Sequence, residues 1–312
     1  MKIMVAYDGT PRAQAALADL AHAGLPQKAE IKVVTVIEPL HTAGPSDLAW
    51  GSGVAEALDL MTWQARKIAR QGKQLLQRTF PGWQLDIDVY RGQRAAELVA
   101  HAAAWEPELL VISPLNRNKW ERLLWGSLSR NVVENAPCSV RVARQTAEDE
   151  SASLRILVGY DGSRSAEAAL DEVSLRQWPP DAEVRLVAAV PPHSTRTAAE
   201  EDALRKLLAA AGRFLHDAGL RVSFCVRTGP PRQALLEEAT VWGAHCLFVG
   251  RNQRNDFNRW FSTSTSAALA VQAPCTVEVV REGQLRKQAK AAQFRPLQPV
   301  HKTRPAAVAG TH

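Results

Sequence analysis

Short apolar, β-branched runs alternate along this chain with stretches whose apolar residues recur every three or four positions. In the first half, the runs 2–7, 31–37, 84–90, 108–113 and 138–143 read as strands. The stretches 11–23, 54–79, 93–105 and 126–135 between them read as helices. Ile31-Lys32-Val33-Val34-Thr35-Val36-Ile37 is nearly continuous in apolar character, as a strand covered on both faces is. This alternation predicts an α/β fold with an open, doubly wound parallel sheet, its helices on both faces through right-handed crossovers. Such sheets take their ligands beyond the carboxyl ends of the strands, where the strand order reverses.

The pattern is written twice. IMVAYDGTPRAQAALADLA (Ile3 to Ala21) recurs as ILVGYDGSRSAEAALDEVS (Ile156 to Ser174). IKVVTVIEP (Ile31 to Pro39) answers to VRLVAAVPP (Val184 to Pro192), and ENAPCSVRVAR (Glu134 to Arg144) to VQAPCTVEVVR (Val271 to Arg281). Three matches in the same order mark a duplicated domain, because the period is far too long for a solenoid. Asp8 and Asp161 stand 153 residues apart, but Gly92 and Gly229 stand 137 apart, so the first copy is longer by 16 residues between its second and third strands. The excess falls in or near HTAGPSDLAWGSGVAEA (His41 to Ala57), whose first part Gly, Pro and Ser mark as a loop; this extra loop, carrying Trp50, borders the expected ligand mouth. It is either a lid or a surface elaboration. The expected boundaries are 1–145 for the first domain, 153–281 for the second and 282–312 for a tail.

At 312 residues, 46% hydrophobic and 22% charged, the chain suits two globular domains of ordinary size. No apolar run approaches the ~20 residues that span a bilayer. The start, MKIMVAYDGT, enters a strand at once without a signal-peptide pattern, so the expected location is the cytoplasm. The net charge of +6 belongs wholly to residues 281–312, where seven Lys/Arg face Glu282 alone. That composition predicts a disordered basic tail and leaves the folded body without a net charge to attract nucleic acid. Cys138, Cys225, Cys246 and Cys275 have no paired spacing and read as reduced and packed, which points away from a metal site.

VISPLNRNKWERLLWGSLSR (Val111 to Arg130) carries the candidate chemistry. A strand opens into a basic loop that closes with Gly126-Ser127-Leu128-Ser129 at a helix start, the ordinary layout of an anion site. Yet Ser113 and Asn116 stand where a tight phosphate cradle favours glycine.

At these residues each half resembles a universal stress protein domain, and the chain resembles a tandem universal stress protein. The resemblance rests on Asp8-Gly9-Thr10 and Asp161-Gly162-Ser163 after the first strands, on Gly92 and Gly229, and on Ala-Pro-Cys entering the last strands (Ala136 to Cys138; Ala273 to Cys275). It implies two five-stranded, Rossmann-like domains of the adenine nucleotide alpha hydrolase-like kind, often paired through their last strands. It also implies a stress-response role without catalysis, and in some members ATP binding through Gly-x-x-Gly, nine further residues, then Gly-Ser/Thr. Carried over by position, the loop falls on Ser113, Asn116, Gly126 and Ser127, with Ser129 beside them. In the second half it falls on Gly250, Gln253, Thr263 and Ser264. The acid and base-side positions fall on Asp8 and Val36, and on Asp161 and Ala189.

Neither copy keeps the full pattern. Asn116 tolerates a left-handed backbone and Ser113 is small, so the first site is expected to be weakened. Gln253 and β-branched Thr263 make the second degenerate. The cofactor expected is ATP or a related adenine nucleotide, with Mg, or else none. The bland alternative is that Asp8, Asp161 and the hydroxyls cap helices and that the chain is a nucleotide-independent scaffold. No Gly-x-Ser-x-Gly elbow, His-x-x-x-His pair or Gly-x-x-x-x-Gly-Lys-Ser/Thr loop occurs, which argues against an enzyme beyond slow, incidental ATP hydrolysis. The last strands, 138–143 and 275–280, are sheet edges that need covering, and pairing them within the chain sets Arg141 against Glu278. A monomer or a further homodimer is then expected.

Overall fold

The structure, a computed structural model, describes residues 1–38, 51–114, 127–144, 153–190, 197–251 and 263–283. In chain order the first half holds β1 (Lys2–Ala6), α1 (Pro11–Asp19), β2 (Glu30–Ile37), α2 (Gly51–Thr79), β3 (Gln84–Arg91), α3 (Arg94–Trp105), β4 (Leu109–Ile112), α4 (Ser127–Asn135) and β5 (Ser139–Val142). The second half repeats the series as β6 (Arg155–Gly159), α5 (Arg164–Leu175), β7 (Glu183–Val190), α6 (Ala198–Asp217), β8 (Arg221–Thr228), α7 (Pro231–Trp242), β9 (Cys246–Gly250), α8 (Thr263–Gln272) and β10 (Thr276–Val280). The loop 39–50, the loop 115–126 with Asn116 and Gly126, and the tail from 284 onward lie outside the described residues, and so does Gln253.

Local chemistry sets the boundaries. Thr10 accepts from the Ala13 N–H and Pro11 takes the first turn, so α1 starts with a cap and a fixed φ. Ser163 caps α5 in the same way, and Thr197 with Glu200 forms a capping box on α6. The expected helix 11–23 is shorter, because regular α1 ends at Asp19 and a 3-10 turn, Leu20–His22, leads to Gly24 at φ +62°.

The strands form one ten-stranded sheet in the order β3-β2-β1-β4-β5-β10-β9-β6-β7-β8. Pairing is parallel within each half. At the centre β5 and β10 run antiparallel, with Arg141 opposite Glu278 and Val140 opposite Val279. Strand pleating then divides the junction by chemistry. Val140, Val142, Val277 and Val279 face α4 and α8, where a single apolar core runs through both halves. Arg141 and Glu278 face the other way, between two separate cores, one under α1 and α2, the other under α5 and α6.

That second face is closed by a buried ionic chain. Arg141 donates to Asp19 Oδ2 at 2.7 Å and to Glu278 Oε2 at 2.9 Å. Arg176 pairs with the other Glu278 oxygen and with Glu172, and donates to the Ala23 carbonyl at 2.7 Å. Asp19 Oδ1 accepts from Thr276 at 2.7 Å. Burial this complete requires that each charge have a partner.

The two halves also cap each other's last helices. Arg144 donates to the Ala270, Val271 and Cys275 carbonyls, and Arg251 and Arg281 reach back to Val133 and Ala136. Its backbone N–H meets Thr276 Oγ1, and that of Arg281 meets Ser139 Oγ. Orphan carbonyls at both helix C-termini are thus satisfied by cations from the opposite half, an approximate two-fold arrangement.

One hydrogen bond carries a pH prediction. The Arg155 N–H donates to His245 Nδ1 at 3.0 Å, which requires the neutral ring at that nitrogen. Burial, then the charges of Arg155 and His22, push its pKa below 6.5. Between the unfolded value and the lowered folded one, the unfolded chain binds more protons, so stability falls as pH drops below about 6.5. Urea unfolding of wild type and His245→Gln across pH 8 to 5 is expected to show a gap that narrows on acidification. Parallel curves contradict it.

Candidate functional site

Strand order reverses between β1 and β4. Going outward from β1, α1 and α2 cover one face; the chain then crosses back, and α3 and α4 cover the other. The crevice expected at such a switch point is present beyond the carboxyl ends of β1, β2 and β4. It is an open crevice with a cavity volume of about 40 Å³, between Asp8, Val36, Arg94, Leu98, Ser113 and Leu128.

Each wall has a local cause. Thr35 on β2 donates its hydroxyl to the Tyr7 carbonyl at 2.7 Å, which pins the end of β1 and aims the following turn. In that turn Asp8 Oδ1 accepts from the Thr10 N–H at 3.0 Å and hydroxyl at 2.6 Å, and Gly9 takes φ +79°. Val34, Val36 and Leu98 make the floor apolar. Arg94, in the first turn of α3, forms an ion pair with Glu38 just past β2. That hydrogen bond, with the charge of Asp8, holds its guanidinium above the ordinary range. The cleft therefore offers an apolar slot with a carboxylate on one side, a cation on the rim and the start of α4 across from both.

Among the expected site residues, Asp8, Val36 and Ser113 come together here. Ser127 is the first residue of α4, and only its backbone is described. Ser129 lies in the first turn of α4, 1% exposed, and its hydroxyl has no partner among the described residues. Its counterpart Ser266 donates to the Gly250 carbonyl at 3.0 Å. Arg94, Glu38 and Leu98 escaped the sequence reading. The signal for the ion pair lay in the repeat comparison, since the equivalent positions are Pro231 and Pro191.

The second copy is built differently at the same place. Asp161 Oδ1 accepts from the Ser163 N–H at 2.9 Å, and Ser163 and Ser165 share a hydroxyl contact at 3.0 Å. A Cβ on Gly250 would stand 2.0 Å from the Ser165 carbonyl oxygen. The first turn of α5 therefore lies on the end of β9, and glycine is required there by packing. Ala189 sits on β7, and Thr263 and Ser264 open α8 with only their backbone described. In the first half Ser113 occupies the position of Gly250 and Arg12 that of Ser165; α1 stands off enough to leave a second hollow, lined by Arg12, Pro114 and Arg144.

The cysteines add no reactive group. Burial pushes the Cys138 and Cys275 thiols up to about 12, and raises that of Cys246 as well. A thiol held protonated in an apolar site is a packing residue.

The model of the Universal stress protein family matches the chain twice, over residues 1–144 and 153–281. Among solved structures, a universal stress protein from Archaeoglobus fulgidus DSM 4304 is 18% identical, with a TM-score of 0.64 over 91% of this chain and 97% of that one. A putative universal stress protein from Pseudomonas aeruginosa UCBPP-PA14 is 16% identical, with a TM-score of 0.57 over 93% and 96%. A protein of that family from Arabidopsis thaliana, described with AMP bound, is 15% identical and covers 42% of this chain and 93% of its own, with a TM-score of 0.31. A search of curated proteins found no match.

Proposed function

This chain belongs to the universal stress protein family, and from that premise we propose that it is a non-enzymatic, nucleotide-responsive stress protein whose first half alone binds an adenine nucleotide. The observation that carries this reading is the difference between the two switch points. The first keeps an open, apolar-floored cleft with Asp8, Ser113 and Arg94 around it. In the second, Pro231 and Pro191 stand at the positions of Arg94 and Glu38 and Ala189 at that of Val36, so the rim cation, its carboxylate and part of the apolar slot are missing.

An adenine ring suits the slot between Val36 and Leu98, and the ribose hydroxyls suit a carboxylate such as Asp8. The phosphates, with Mg, then fall toward Ser113, Asn116 and the Gly126-Ser127-x-Ser129 helix start, where N–H groups point outward. The Ser129 hydroxyl supports this placement, because a buried donor without a partner among the described residues costs free energy that a ligand or water recovers. Without the two loop glycines the affinity is weakened. Binding at this cleft alters a surface that a protein partner can read. We take 1–145 and 153–281 as the two domains, joined edge to edge through β5 and β10 as one cytoplasmic unit.

A second reading, a nucleotide-independent scaffold, is favoured by Asp8, whose Oδ1 is already engaged by Thr10 at the start of α1. Calorimetric titration with ATP, with and without Mg²⁺, separates the two. One site per chain is expected, lost in Gly126→Val; no heat and no thermal shift at millimolar ligand rejects nucleotide binding.

A further inference from the structure

Helices α2 and α6 hold the same place in the two repeats, yet their outward faces differ in charge. On α6, Arg205 pairs with Glu201 and Lys206 with Asp202. On α2, Arg66, Lys67, Arg70, Lys73 and Arg78 follow one another without a carboxylate between them. None of these five forms an ion pair among the described residues. Spaced one, three, three and five residues apart, they share the helix face turned away from Ala65, Ala69 and Leu76, which are buried against the sheet.

At its N-terminal end the stripe gains two apolar side chains, beside the carboxylates of Glu56 and Asp59. Leu60 is 56% and Trp63 59% exposed, and the Lys67 ammonium lies 5.7 Å from the centre of the Trp63 ring. Arg91, from the edge strand β3, donates to the Leu58 carbonyl and to Thr62 Oγ1, which holds this end of the helix in place. From Leu60 to Arg78 the stripe runs about 27 Å along the axis.

A row of unpaired cations is suited to a polyanion. A nucleic acid has use for the cations and for a stacking ring, but none for an exposed leucine beside it. A leucine and a tryptophan at the end of a basic stripe suit the boundary between lipid headgroups and acyl chains. We infer that the outward face of α2 is a docking surface for an anionic lipid bilayer. The cations lie over the headgroups and Leu60 and Trp63 enter the boundary layer. Docking is peripheral, as no helix among the described residues is long and apolar enough to cross a membrane. It is separate from the nucleotide cleft, whose helical walls come from α3 and α4 on the opposite face.

The test is co-sedimentation of the full chain with vesicles of phosphatidylcholine alone or mixed with phosphatidylserine, at low salt. Binding to the mixed vesicles only is expected. Each cation near such a surface contributes roughly fivefold, so Arg66→Gln/Lys67→Gln/Arg70→Gln is expected to lower partitioning about 100-fold. Glutamine keeps helix propensity at exposed positions, and a circular dichroism melt checks that the variant folds. Trp63→Ala is expected to weaken binding severalfold and to remove fluorescence quenching by brominated lipid. No binding to mixed vesicles, or a triple variant that binds as wild type, overturns the proposal. So does a chain ending at residue 283 that loses binding with α2 intact, which assigns it to the tail. Tighter binding to a DNA duplex than to lipid, indifferent to Trp63→Ala, overturns it in favour of nucleic acid.

Discussion

Glu278→Leu is expected to destabilise the protein by about 3–5 kcal/mol, the usual cost of breaking a buried ion pair from one side. Glu278 is fully buried and, among the described residues, is the only carboxylate joined to both Arg141 and Arg176. Without it, two guanidiniums face each other across the junction of the halves, with Asp19 and Glu172 left to balance them. The double variant Arg141→Met/Glu278→Leu removes one charge of each sign and fills the space with apolar atoms. It is expected to recover most of the loss, because such replacement is often neutral or better. Urea unfolding of the three proteins measures both terms. A single-variant cost below about 1 kcal/mol, in the range of an exposed pair, contradicts the role assigned to this chain of charges.

The expected effect of Gly250→Ala is nearly as large, about 3 kcal/mol, at the upper end of overpacking costs. The added carbon would meet the Ser165 carbonyl oxygen at 2.0 Å, and backbone cannot swing aside as a flexible side chain can. The equivalent change in the first repeat, Ser113→Ala, meets no such obstacle because a Cβ is already accommodated there. If Gly250 were kept for a phosphate instead, its replacement would cost ligand affinity and leave stability alone. Thermal or urea unfolding without ligand distinguishes the two; equal stability of Gly250→Ala and wild type contradicts the packing account.

Much of the fold was legible because its causes are local. The β-branched runs at Ile31–Ile37 and the caps at Thr10 and Ser163 announce strands and helix starts by their own chemistry, and the repeat doubles each signal. Opposite charges at Arg141 and Glu278, equivalent positions of the two copies, also stood out in comparison. What escaped the sequence depends on where distant segments land. Arg176 has Ala23 as its counterpart, so no repeat signal marks it, yet it completes the charge balance of the junction. Gly250 matches the first glycine of the expected phosphate loop, and the approach of Ser165, 85 positions earlier in the chain, is a packing need for glycine there that the sequence did not show. Arg94 and Glu38 lie 56 residues apart and meet only because β2 and α3 end at the same crevice. Of the expected phosphate loop, Asn116 and Gly126 lie outside the described residues, so its geometry rests on the ends that flank it, Ser113 and the first turn of α4.

The central claim is that the duplicated fold has kept nucleotide-binding side chains at one switch point and lost them at the other. Photolabelling with an azido-adenine nucleotide, followed by mass-spectrometric mapping of the modified peptides, tests it most directly. Adducts confined to the segments around Tyr7, Val36 and Leu98, and competed away by ATP, are the expected result. Labelling around Tyr160 and Ala189, or labelling that ATP does not displace from either half, contradicts it.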